Sequence, residues 1–377
     1  MRIAGYRLTR FQFARDRVIG DSQVRADAVN VAALELVSDT GLVGLGFAQA
    51  LFHPLPAQDE MVRVFQEEAW PALEGQPPMA LVHRVNRPRG GNQRAFTLPF
   101  HEAIQVALWD LAAKQAGLPL HTFLGARRDR VRVYASGLDY HLDDRAFEDF
   151  FAKADALGYD AFKIKVGHPE FERDLARLKL LARTVRPGAR IMIDANEAWG
   201  AKEASVKLDA IRKAGHDLLW VEDPILRDDF EGLKFLRGCA PWTLINSGEY
   251  LDVSKKRQLM LAGGTDILNV HGHVTDVMRI GWFAAEMGIP VSLGNTFLEF
   301  GVHMACALPE VEWLEYSFQN FDHLVEEPMK IRDGWIFAPE RPGHGLALSE
   351  SARREWARPE VLERDKLGAA PVNRISR

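Results

Sequence analysis

The chain has 377 residues, of which 47% are apolar and 26% charged, and its formal net charge is -5 at pH 7. This exceeds the roughly 250 residues of a single barrel and predicts a second, smaller domain, while the acidic balance argues against nucleic acid as a partner. No stretch reaches the roughly 18 apolar residues of a membrane span and no signal-peptide core opens the chain; two cysteines far apart, Cys239 and Cys306, argue against a disulfide framework, so a soluble cytoplasmic protein is expected.

Residues 3–13 and 29–38 alternate in strand fashion, and Asp39-Thr40-Gly41 forms a turn before a third strand over 42–48, which predicts an antiparallel meander. Two irregular loops are expected, 14–25 and 49–56. Their charged residues Arg15, Arg17, Arg25 and His53 are either solvated or reach over a neighbouring barrel mouth to read a substrate. Helical spacing covers 58–84, and residues 98–117 form an amphipathic helix through Ile104, Ala107, Leu108, Leu111 and Ala112.

From Arg130 onward strands and helices alternate. Strands are predicted over 131–135, 161–166, 190–194, 218–222, 243–247, 266–270, 290–293 and 312–316, with helices between them such as 170–185 and 203–214. Eight such strands close a barrel. After Tyr316 the pattern loosens into loops, Pro and Gly crowd residues 335–345, and roughly the last 20 residues pack back on the first domain or trail.

The organising stretch is 161–249. Ala161-Phe162-Lys163-Ile164-Lys165, Ile191-Met192-Ile193-Asp194, Leu219-Trp220-Val221-Glu222 and Ile245-Asn246-Ser247-Gly248-Glu249 are short apolar runs that carry or end in charge. Lys163 to Asp194 is 31 residues, Asp194 to Glu222 is 28 and Glu222 to Glu249 is 27, each enough for a loop, a helix and a returning strand. Asp194, Glu222 and Glu249 thus converge at one rim of consecutive strands. Buried like charges repel unless a cation sits between them, and three hard oxygen ligands suit Mg²⁺ better than Zn²⁺. The plainer alternatives are helix N-caps for the carboxylates and a surface ion-pair role for the lysines.

Ala107-Leu108-Trp109-Asp110, Phe123-Leu124-Gly125, Lys163-x-Lys165, Asp194-Ala195-Asn196, Val221-Glu222-Asp223-Pro224 and Gly248-Glu249, in that order and spacing, resemble the enolase superfamily, and within it the mandelate racemase/muconate lactonizing enzyme-like subgroup. The resemblance implies an α/β fold: a modified TIM barrel, (β/α)7β, over residues 126–320, an N-terminal α+β capping domain over 1–125, and a segment, 321–377, that packs back on the cap. It also implies one Mg²⁺, proton abstraction α to a carboxylate, and a small-molecule carboxylate substrate such as an acid sugar. A homo-oligomer is expected.

Removing that proton puts a second negative charge on the carboxylate. Lys163 is read as the cation that clamps the carboxylate, and Lys165, on the same face of the same strand, as the base, with its pKa lowered by its neighbour and the metal. The subgroup's His-Asp dyad is absent: His271 stands where an Asp is expected at the sixth strand tip, His273 follows it, and Asn295 ends the seventh strand without a histidine. That departure weighs against two-base racemisation. His271 then serves as acid or base, as donor to a leaving hydroxyl, or as a loop histidine. Glu315, on the eighth strand, matches the subgroup's carboxyl-directed electrophile, and Asn196 and Asn295 are candidates for substrate contact. The expected reaction is dehydration of an acid sugar to a 2-keto-3-deoxy acid. A racemase, epimerase or cycloisomerase is the alternative, and a catalytically silent binding protein a third.

Overall fold

The computed structural model describes residues 1–50, 55–83 and 100–357. His53, the ends of the two predicted helical stretches at Arg84 and Leu98, and the last 20 residues lie outside them. Strands β1 (Ile3–Gly20), β2 (Arg25–Ser38) and β3 (Val43–Ala50) form an antiparallel sheet in the order β1-β2-β3. The helix His101–Ala116 lies on it, with Ile104, Ala107, Leu108 and Leu111 packed against Leu34 and Leu36. The helix comes so close that a Cβ at Gly46 would overlap the carbonyl oxygen of Ala103, so that position has room only for glycine.

The predicted loop over 14–25 is instead mostly strand. Pairing runs from Ile3 to Ala14, breaks, and resumes at Ile19↔Ala26 and Gly20↔Arg25. The residues between Ala14 and Ile19, including Arg15 and Arg17, form a bulge, and only Asp21–Val24 make the turn. Their charges obscured the strand because a bulge interrupts the alternation from which strands are recognised.

The second body is a barrel of eight parallel strands: β4 (Arg130–Ser136), β5 (Ala161–Lys165), β6 (Arg190–Asp194), β7 (Trp220–Glu222), β8 (Leu244–Ser247), β9 (Ile267–Val270), β10 (Val291–Leu293) and β11 (Val311–Tyr316). Closure is by β11 on β4, through Trp313↔Arg132, Leu314↔Val133, Glu315↔Tyr134 and Tyr316↔Ala135. A helix follows each of the first seven strands, giving the (β/α)7β pattern. Several of these helices start in the same way: Asp143, Asp229 and Asp252 each accept a backbone N–H of the first turn, at 2.8 to 2.9 Å, a cap that contributes about 1 kcal/mol.

Alternation decides what each strand shows to either side. Phe162, Ile164, Ile193, Val221 and Leu314 face the helices in one large core, whereas Ala161, Met192, Trp220, Ile267, Trp313 and Tyr134 fill the lumen. The lumen is therefore a packed floor beneath the C-terminal rim.

The tail is not all loop. Strands β12 (Lys330–Arg332) and β13 (Trp335–Phe337) form a hairpin whose second strand runs antiparallel to the start of β4. Arg130 and Arg132 stack on Trp335. Beyond it the chain returns to the N-terminal sheet. His344 donates its backbone N–H to Asp110 and its Nε2 lies 2.7 Å from the Leu45 carbonyl, Arg353 pairs with Glu35 at 2.7 Å, and Ala357 bridges to Phe11.

Candidate active site

On β5 the lumen-facing phase runs Ala161, Lys163, Lys165, so the strand that puts Phe162 and Ile164 in the core aims both amines inward. Lys163 is 1% exposed and lies 2.7 Å from Glu222 Oε1, 3.1 Å from Glu315 Oε1 and 3.6 Å from Asp194 Oδ2. Lys165 donates to Asp194 Oδ2 at 2.5 Å and Asn196 Oδ1 at 2.8 Å. Lys165, Asp194 and Glu222 stand in register on β5, β6 and β7.

Glu249 arrives differently. With Asn246 turned into the lumen, toward Ser292, simple alternation would turn Glu249 away from it; Gly248, at φ +114°, resets the phase and leaves the carboxylate buried and in electrostatic reach of Lys163, Asp194 and Glu315. The rim is held by further groups. Asp223, fully buried at φ +36°, accepts from Ser247 Oγ at 2.6 Å and pairs with Arg227 at 3.1 Å, and Arg227 also pairs with Glu197 at 3.0 Å. Buried Lys256 donates to the carbonyls of Gly248, Glu249 and Leu251 and so fixes the loop carrying Glu249. Left-handed backbone at Asn196, Glu197 and Asp223, each a non-glycine, concentrates strain at the strand tips, as functional rims often do.

Electrostatics divide these groups. Burial pushes Asp194 upward, but Lys165 and Lys163 outweigh it and hold its carboxyl low. Glu222 is raised, by burial first and then by Asp194, Glu315 and Glu249, against the pull of Lys163. Glu249 is raised by burial and by Glu315. Glu315 is held down at about 2 because Lys163 and Lys165 overcome its burial. The lowering expected of Lys165 depends on a bound cation as well as on Lys163, and the protein's own groups act on its pKa the other way. Burial lowers it, yet Asp194 and, further off, Asp21 and Glu222 prevail over Lys163 and raise it above the ordinary lysine value.

The oxygen-only donor set and the mutual repulsion that raises Glu222 and Glu249 fit a hard dication. The oxygens of Asp194, Glu222 and Glu249 are not all within 4.8 Å of one another, and Lys165 and Lys163 occupy Asp194 and Glu222. Holding an ion there means exchanging lysine contacts for metal contacts.

His271 continues the lumen phase of β9 after Ile267 and Asn269, four strands from β5 and so across the mouth from Lys165. Its ring meets Tyr250 edge-on at 5.6 Å, and burial, with help from His273 and Lys256, pushes its pKa down to about 4. Asn196 and Asn295 are bound to protein partners: Asn196 holds Lys165 and donates its N–H to Asp194, and Asn295 donates its N–H and Nδ2 to Glu315 Oε2 at 3.1 and 3.3 Å.

The two cap arginines separate. Arg17 donates to the carbonyls of Gly137 and Ser317 at 2.7 and 2.9 Å and so docks the β1–β2 hairpin on the loops after β4 and β11. Arg15 donates to Gln319 Oε1 at 2.8 Å, while its Nε and Nη2 are buried with no protein partner. Closer to the lysines is the hairpin turn: Gln23 donates to the Asn196 carbonyl, and Asp21 acts electrostatically on Lys165 and Asp194. Buried Asp139, beyond the tip of β4, accepts the backbone N–H of Lys165 at 3.1 Å. Sequence reasoning missed Asp21, Gln23 and Asp139. Only Asp139 left a signal, as one more acid just past a strand tip.

A family model described as enolase C-terminal domain-like matches residues 146–352, more than half of the chain. A crystal structure of a candidate mandelate racemase from Mesorhizobium loti is 68% identical, with a TM-score of 0.93 and 98% of each chain covered. L-talarate/galactarate dehydratase of Salmonella typhimurium is 32% identical over 259 residues, 67% of this chain and 63% of that enzyme; its structure with Mg and L-lyxarohydroxamate superposes with a TM-score of 0.80 at 26% identity, covering 94% of this chain and 93% of that one. D-galactarolactone cycloisomerase of Agrobacterium fabrum is 26% identical over 96% of this chain and all of that enzyme. No helix among the described residues is long and apolar enough to cross a membrane.

Proposed function

The chain belongs to the enolase superfamily, in its mandelate racemase-like group, and we propose that it is a Mg²⁺-dependent enzyme that dehydrates an acid sugar to a 2-keto-3-deoxy acid. The observation that carries this reading is the asymmetry of the mouth. One side has a lysine pair among carboxylates, and the tip of β10 has Asn295 holding Glu315 in place of a histidine. One strong base, with a lone His271 rather than a His-Asp dyad across from it, favours loss of a group over return of the proton from the other face.

Asp194, Glu222 and Glu249 would hold Mg²⁺, which would supply Lewis-acid stabilisation to the substrate carboxylate. Lys163, beside Glu315, sets a second cation against the same carboxylate. Lys165 takes the C2 proton on Nζ; a cation on Asp194 would relieve its amine of that carboxylate. The electron pair of the broken C2–H bond forms the C2–C3 double bond as the C3–O bond breaks. An anionic substrate facing His271 raises that imidazole, and the imidazolium N–H supplies the proton with which hydroxide leaves as water. The enol then takes a solvent proton at C3 and becomes the keto acid. Asn196 and Asn295 position Lys165 and Glu315. The free donors of Arg15 are assigned to the far end of the substrate.

Incubating the protein with Mg²⁺ and a panel of acid sugars in D₂O tests the reading. A semicarbazide-reactive keto acid is the expected product. Exchange of the α-proton for deuterium without loss of water would assign an epimerase or racemase instead, the activity class for which cycloisomerase and epimerase relatives argue.

A further inference from the structure

His101 and Glu102 open the helix His101–Ala116, and His273 immediately precedes the helix Val274–Glu286. One ligand atom from each of the three lies within 4.8 Å of the others, the tightest such grouping of His, Cys, Asp and Glu among the described residues. The rings of His101 and His273 meet edge-on at 6.0 Å. His273 Nε2 stands 3.7 Å from Glu102 Oε1, too far for a good hydrogen bond, and its Nδ1 is buried with no protein partner. The backbone on both sides is already fixed: Gln105 Oε1 accepts the Thr275 N–H at 3.0 Å, and Trp109 Nε1 donates to Thr275 Oγ1 at 2.9 Å.

We propose that His101, Glu102 and His273 form a second cation site, separate from the carboxylates of the barrel mouth, which takes a divalent transition metal ion of the zinc class. Two imidazoles and one carboxylate are the donor set that Zn²⁺ accepts and Mg²⁺ avoids. Bonds of about 2.0–2.2 Å require the three side chains to close by only about an ångström, which half-buried side chains on fixed backbones can do. With three protein ligands, a fourth position stays open to water. The ion joins the first long helix of the cap to the loop after β9, two residues from His271, and so ties the cap to the side of the mouth opposite Lys165.

Chelator-stripped full-length protein, kept in excess Mg²⁺, is titrated with Zn²⁺ against a chromophoric competitor. One tight equivalent is expected, and His273→Ala and His101→Ala should each weaken it by about tenfold or more. Glu222→Gln, which alters the mouth carboxylates, should leave it unchanged. Co²⁺ in the same protein should give visible absorption that the histidine variants lose. Glu102→Gln, close to isosteric, should weaken binding with an unchanged circular dichroism spectrum, so that loss of fold is not mistaken for loss of a ligand. A folded wild-type protein that binds no Zn²⁺, or binding that disappears with Glu222→Gln and survives His273→Ala, overturns the proposal.

Discussion

The ammonium of Lys165 donates to Asp194 Oδ2 at 2.5 Å, so the base and one of the carboxylates of the proposed metal set hold each other. This pairing explains why Lys165 lies above the usual lysine range. It also means that the cation and the base compete for one oxygen. On the proposed reading, a dication on Asp194 would free the amine and offset the charge that keeps it protonated.

Lys165→Met should therefore abolish turnover, with a loss of about 10²–10⁴-fold or more, and should leave Mg²⁺ binding at least as strong as in the wild type because Asp194 no longer has a competing ammonium. Single-turnover kinetics and calorimetric Mg²⁺ titration measure the two effects. An undiminished rate would remove Lys165 as the base.

Glu222→Gln removes one oxygen anion of the proposed set and the partner of Lys163 at 2.7 Å. Mg²⁺ affinity should fall by about 10–100-fold, read by calorimetry at constant ionic strength. Equal affinities in variant and wild type would place the ion elsewhere.

At Gly248 the backbone is at φ +114°, and an added Cβ would stand 3.3 Å from the Asn269 carbonyl oxygen. Gly248→Ala should cost about 1–3 kcal/mol of stability and weaken Mg²⁺ binding by turning Glu249. Loss of stability with unaltered Mg²⁺ affinity would show that Glu249 reaches its place without this residue.

Arg15 has guanidinium donors with no protein partner, and Arg17 has two carbonyls. Arg15→Met should raise KM with little change in kcat, the signature of lost uniform binding. Arg17→Met should instead lower thermal stability through the undocked hairpin. A KM unaffected by Arg15→Met would exclude that residue from substrate contact.

His303 and His344 tie the tail to the rest of the chain while buried and uncharged. Burial, then His344, pushes His303 down to about 3 from its ordinary 6.5, and burial lowers His344 as well. The unfolded chain takes up protons that the folded one refuses, so their contribution is complete above about pH 6.5 and is lost as pH falls toward about 3. Urea midpoints should fall across that window. His303→Asn should destabilise the protein at neutral pH, by about 1–3 kcal/mol for the Nδ1 that accepts the His121 N–H, and should flatten the slope. A slope identical to the wild type would contradict this.

The barrel was legible in the sequence to within a residue or two at most strand ends, because a strand buried on both faces needs an unbroken apolar run and its period of two allows no other phase. For the same reason Lys163, Lys165, Asp194, Glu222 and Glu249 could be placed on one rim from the sequence, whereas Glu315 was assigned by its match to the family subgroup. The bulge at Arg15–Val18, the hairpin over 330–337 and the docking of Gln23 at Asn196 left no such trace, since each depends on contacts made across long separations.

The order of elements and the charged tips on one rim were thus set by local chemistry, readable from the residue types and their spacing alone. Tertiary structure decided the rest: the charge on Lys165, the inward turn of Glu249, the commitment of Asn196 and Asn295 to protein partners, and the meeting of His101 and Glu102 with His273 more than 170 residues away. Electrostatic energy depends on distance and on burial, and the chain acquires both only when segments remote in sequence close around one another.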